Sequence, residues 1–180
     1  MSKLDYEGAT SSQFSASDAD ISVISSDNVL FRLHRTNIEV QAGGFTPINQ
    51  QRLPEPAHVL VILFQFLYPQ RHPKLTNTRF ETVQALATAA ERYKIFSAMH
   101  ISQVRLREFL PQCAKEILKY AIEFDYLDLV DETALLCARS PVCDMLIDLP
   151  SQVWVPWLIR LYLSPCRHYT TKPGKRCLKP

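Results

Sequence analysis

From residue 20 onward the chain alternates apolar and polar positions. Ile21, Val23, Val29, Phe31 and Leu33 interleave with Ser22, Leu30, Arg32 and His34. A period of two places one set on a single face of a strand. The two runs are separated by Ser25, Ser26, Asp27 and Asn28, small polar residues suited to a tight connection. The pattern predicts a β-hairpin over residues 20–25 and 29–34. A lone two-stranded ribbon is marginal in water, so its apolar face needs a cover. Ahead of it, residues 1–17 are small and polar around isolated Leu4, Tyr6 and Phe14, and read as a flexible lead.

Helical spacing takes over after the hairpin. Residues 36–42 suit a short helix, which Gly43 and Gly44 would end by accepting a left-handed backbone. Residues 45–52 read as an irregular loop. Residues 57–67 form an apolar helix with Val59, Leu60, Leu63, Phe64 and Leu67 on one face, stopped by Pro69 and Pro73. Thr78, Arg79, Phe80 and Glu81 match a capping box. Phe80, Val83, Leu86, Ala87, Ala90 and Tyr93 then repeat at three and four. Further helices are expected over residues 96–110, from Pro111 through Phe124, and over residues 126–139. A short segment follows at residues 141–147, and a last helix from Pro150 or Pro156 to Tyr162. A hairpin followed by about six helices is an α+β order, with a reduced sheet capped by a helical bundle.

Composition adds limits rather than an activity. At 180 residues, 47% apolar and 21% charged, the chain is that of a folded globular protein. It holds four glycines, none in a phosphate-cradling loop. The five cysteines are irregularly spaced, which suits reduced, packed thiols in an intracellular setting, cytoplasmic or nuclear. The longest apolar run is too short to span a bilayer, and no secretory leader pattern opens the sequence. Arg167, Lys172, Lys175, Arg176 and Lys179 make residues 166–180 wholly basic, while the rest holds 15 basic and 18 acidic side chains. That tail is either a solvated terminus or an arm for nucleic acid.

Candidate chemistry is sparse. His34, His58, His72, His100 and His168 lie at no ligand spacing, and the nucleophile-elbow pattern is absent. Cys113, placed near a helix start, is the one thiol expected to have a lowered pKa. The acidic pairs Asp18/Asp20, Asp125/Asp128 and Asp131/Glu132 read as caps or solvated faces. No catalytic residue, cofactor or metal ligand is therefore assigned, and no small-molecule substrate or membrane is expected.

Four features in order carry a resemblance. Asp20 precedes the first strand. His34-Arg35 closes the second. Leu67-Tyr68 ends the buried helix. Ala87-Thr88-Ala89-Ala90-Glu91-Arg92-Tyr93 follows in the next. Together, and with the Tyr68–Pro73 segment Tyr-Pro-Gln-Arg-His-Pro, they resemble a BTB/POZ domain, in particular its compact fungal members. The resemblance implies a domain over residues 18–110, a helical extension over 111–163 and a basic tail over 164–180. It implies a non-enzymatic protein–protein interaction module that homodimerises, or acts as a ubiquitin-ligase adaptor on a cullin scaffold, or as a transcription-associated scaffold. Asp20, His34, Tyr68 and Tyr93 would be its fold-signature residues. The candidate interaction surface is Ile21, Val23, Phe31, Leu33 and Ile38, on the hairpin and the short helix after it. The competing reading is a nucleic-acid-associated regulator using the basic tail. The family's third strand has no alternating apolar run between residues 45 and 52, so the hairpin is expected to keep an unpaired edge.

Overall fold

The structure, a computed structural model, describes residues 8–46 and 48–137. The architecture is α+β, a four-stranded mixed sheet followed by helices. The predicted hairpin is present as β2 (Ile21–Ile24) and β3 (Val29–Leu33), antiparallel with Ile21 opposite Leu33 and Val23 opposite Phe31. Its turn closes through Ser25, whose backbone N–H donates to the Val29 carbonyl at 2.9 Å while its Oγ accepts the Val29 N–H at 2.9 Å. Asn28 takes the left-handed conformation there, φ 59°, which an asparagine tolerates better than most residues.

Two short strands correct the sequence reading. β1 (Ala9–Thr10) pairs parallel with β3, and β4 (Gln51–Arg52) pairs parallel with β2, giving the order β1-β3-β2-β4. The hairpin therefore has no unpaired edge of its own, and residues 9–14 are not a loose lead. Phe14 is buried against Phe31 and Phe64, with ring centroids 6.1 and 5.8 Å away, and its carbonyl accepts the Arg32 N–H at 2.8 Å. Strands of two residues leave no periodicity to read. They exist because β2 and β3 offer backbone groups that would otherwise need water.

Helix α1 (Arg35–Gln41) follows β3 directly. It does not end on a left-handed glycine: Ala42 is extended, and neither Gly43 nor Gly44 lies in the left-handed φ region. Gly44 instead allows close approach to α3, since a Cβ there would come within 2.8 Å of Lys94 Cγ. The N–H groups of Gly43 and Gly44 donate to the carbonyls of Lys94 and Tyr93 at 3.0 and 3.1 Å.

Helices α2 (Ala57–Gln65), α3 (Phe80–Tyr93), α4 (Phe96–Arg107), α5 (Ala114–Glu123) and α6 (Leu127–Cys137) complete the described fold. α2 and α4 are shorter than their apolar patterns because their last turns tighten to i→i+3 bonds, such as Leu67 N–H to Phe64 and Leu110 N–H to Arg107. No side-chain cap forms at the start of α3, where Arg79 is the N-cap, so the Thr78–Glu81 capping box is not made. Pro111 does not open α5, which starts after Cys113. The segments expected beyond residue 137, including the last helix and the basic tail, lie outside the described residues.

Two apolar clusters share α3. Leu86, Ala89, Ala90 and Tyr93 join the sheet, α1 and α2, whereas Val83 and Ala87 pack with Ile117, Leu118 and Leu129 of α5 and α6. Full burial of a large aliphatic or aromatic side chain contributes about 1.5–3 kcal/mol. α3 is thus the spine on which both halves rest.

Candidate functional site

Three of the four signature residues meet where β3 becomes α1. Asp20 Oδ1 accepts the Arg35 backbone N–H at 2.8 Å, and its other oxygen lies 3.7 Å from the Arg35 guanidinium. The backbone donor at the helix start holds the Asp20 carboxyl below its usual range, with the Arg35 guanidinium adding to it. Asp20 thus supplies the cap that helix α1 needs.

His34 is the N-cap residue of α1 but makes no side-chain cap hydrogen bond. Its Nδ1 lies 3.1 Å from the Tyr68 hydroxyl, and its Nε2 lies 3.4 Å from Asp18 Oδ2. The His34 backbone N–H also donates to the Tyr68 oxygen at 3.3 Å. A neutral ring carrying its proton on Nε2 fits these partners, with Nδ1 accepting from the phenol. Burial raises the Tyr68 pKa, opposed by the His34 N–H. Tyr68 therefore latches the end of α2 to the start of α1.

Tyr93 belongs to a different site. Its hydroxyl donates to Glu55 Oε2 at 2.6 Å, while Arg92 Nη1 reaches Glu55 Oε1 at 2.5 Å. Glu55 is only 7% exposed. A second buried carboxylate, Glu91 at 3% exposure, accepts from Tyr120 at 3.2 Å and from Tyr126, with Lys94 Nζ 3.6 Å away. The sequence placed Tyr93 on the apolar stripe of α3 and gave Glu55 and Glu91 no role of their own. Their tyrosine and arginine partners are 29 to 38 positions away, and no local pattern marks such pairs.

The candidate interaction surface needs the largest correction. Ile21, Val23, Phe31, Leu33 and Ile38 are all buried in the first apolar cluster. Their face of the ribbon lies under α1 and α2, so they hold the fold and present nothing outward. The exposed large apolar side chains are others: Val40 at 78% on α1, Phe96 at 65% at the start of α4, and Ile48, Val104 and Leu127 elsewhere. A Cβ on Gly43 would lie 3.5 Å from Phe96 Cε2. That contact sets the Phe96 ring beside the C-terminal end of the helix that carries Val40.

Cys113 does not have the lowered pKa expected of a thiol at a helix start. Burial pushes it up, and Glu116 and Glu81 add to the effect. Burial likewise raises Cys137. Among the described residues no three His, Cys, Asp or Glu side chains converge as a metal site, and no helix is long and apolar enough to cross a membrane. The basic residues Arg167, Lys172, Lys175, Arg176 and Lys179 fall outside the described residues.

No protein-family model matches the chain, and no curated protein matches its sequence.

Proposed function

We propose that the protein is a non-enzymatic protein–protein interaction module of BTB/POZ type that self-associates through the α1 face. The observation that carries this reading is that two of the exposed apolar side chains, Val40 and Phe96, lie toward the C-terminal end of α1, while Ile21, Val23, Phe31 and Leu33 of the hairpin's inner face are buried. A contiguous apolar patch left outside the core marks an interaction surface, and Val40 and Phe96 would form the centre of one here. The sheet is in keeping with that resemblance: β4, parallel to β2, lies in the stretch between α1 and α2 where a third strand is implied. Capture of the α1 start by Asp20 and of His34 by Tyr68 gives the signature residues structural work.

Light scattering on a gel-filtration column tests the reading. At tens of micromolar a dimer is expected, and a strict monomer would count against it. Adaptor activity is a separate question: a pull-down without a cullin partner would remove it and leave the module intact.

A further inference from the structure

We infer that the cleft between the β3–α1 junction and the C-terminal end of α2 is a recess that receives an acidic side chain of a partner peptide. The inference deepens the interaction reading and rests on it. The cleft has a volume of about 320 Å³, and its lining includes Phe14, Arg32, His34, Gln65, Tyr68 and Arg71. That volume is at the low end for ligand sites, which run from ~300 to ~1,000 Å³. Phe14 and Tyr68 form an aromatic floor, their centroids 5.7 Å apart.

The charge at the rim singles out the occupant. Elsewhere in the fold most arginines are engaged: Arg35 with Asp20, Arg92 with Glu55, Arg105 with Glu108, Arg107 with Asp128 and Glu132, and Arg52 with the Asn28 amide. Among the described residues Arg32, Arg71 and Arg79 form no ion pair with a carboxylate, and the first two line this one cleft together. No Asp or Glu is in the lining. Asp18 stands beside it, but its carboxylate faces His34 Nε2. Gln65 adds a polar amide at the wall, held toward Gln13 at 3.3 Å. Two arginines lining a cleft that also holds Phe14 and Tyr68 suit a carboxylate on a short apolar stem.

Amide chemical shifts of the full-length isotope-labelled chain, at roughly physiological salt, provide the test. The probe is a blocked peptide of alternating alanine and glutamate, compared with its glutamine counterpart and with inorganic phosphate. Shifts confined to the amides of Arg32, Gln65, Tyr68 and Arg71 are expected with the glutamate peptide alone. Arg32→Gln or Arg71→Gln weakens binding by about tenfold, and the double variant abolishes it. Arg79→Gln, an exposed arginine away from this lining, leaves it unchanged. No response to the glutamate peptide, an equal response to the glutamine peptide or to phosphate, or full binding by the double variant overturns the inference. All three arginines are exposed, so the variants fold. A protein that dimerises yet ignores the peptide loses only this inference, whereas a peptide-binding monomer loses the dimer reading instead.

Discussion

The hydroxyl of Tyr93 donates a 2.6 Å hydrogen bond to Glu55 Oε2, joining the last turn of α3 to the segment that leads into α2. The same carboxylate takes the Arg92 guanidinium, and the Glu55 carbonyl accepts the Ser26 N–H at 3.0 Å. One glutamate thus ties the hairpin turn, the entry to α2 and the end of α3.

Replacing it strands its partners. Glu55→Ala leaves the Tyr93 hydroxyl without an acceptor in a side chain only 6% exposed. The expected loss is about 2–4 kcal/mol, read from urea midpoints. Tyr93→Phe costs less, because Arg92 still holds the carboxylate. A Glu55→Ala change that leaves the midpoint unmoved removes this joint from the account.

Alkaline pH should loosen the fold. Burial raises the pKa values of Tyr93, Tyr120 and Tyr126, and the neighbouring Glu55 and Glu91 add to it. Each phenol then keeps its proton in the folded chain at a pH where the unfolded chain releases it. The stabilisation is whole below the unfolded value near pH 10, and is lost as pH rises toward the folded values. Stability measured by denaturant at about pH 11 should therefore fall below that at pH 8. Tyr120→Phe should flatten the fall, and an unchanged slope in that variant contradicts the assignment.

Asp27 should show the opposite limb. Its Oδ1 accepts the Ala57 N–H at 2.8 Å, capping α2 across the hairpin turn. The Ser25 hydroxyl lowers the Asp27 pKa most, partial desolvation opposes it, and the Ala57 N–H lowers it further. Its contribution is present above the unfolded carboxylate value and fades as pH falls through the lower folded one. Asp27→Ala should cost about 1 kcal/mol at neutral pH, a typical cap, and should shrink the acid-induced loss of thermal stability. A variant as acid-sensitive as the parent sinks this point.

The two adjacent glycines should differ. A Cβ on Gly44 would come within 2.8 Å of Lys94 Cγ and 3.3 Å of the Arg92 carbonyl, whereas on Gly43 the nearest atom is 3.5 Å away. Gly44→Ala should destabilise by roughly 1–3 kcal/mol, the range for overpacking. Gly43→Ala should stay within about 0.5 kcal/mol. Lys94 is also left-handed, φ 53°, so Lys94→Gly removes both strain and obstacle and should rescue much of the Gly44→Ala loss. Calorimetry on the four variants decides it.

The legible part of the fold was the part with a period. Alternation over Ile21–Ile24 and Val29–Leu33 marked the hairpin, and three-and-four spacing marked α3 over its full length. β1 and β4 were invisible because two residues carry no period, and their partners lie in distant strands. The interaction surface was misplaced for a related reason. Alternation identifies an apolar face such as Ile21, Val23, Phe31 and Leu33, but not whether a neighbour covers it. Val40 and Phe96 stand out only once α1 and α4 are packed. Asp20 was legible because its partner, Arg35, begins the helix that its strand leads into. Glu55 and Glu91 were not, because their partners come from helices far along the chain.

The self-association claim is tested most directly by the mass of the parent and of Val40→Asp/Phe96→Asp, measured by light scattering across a concentration series. Both sites are exposed, so the variant should melt with the parent at matched monomer concentration. The account predicts a concentration-dependent dimer for the parent and a monomer for the variant. A parent that stays monomeric at tens of micromolar, or a variant that dimerises as well as the parent, contradicts it.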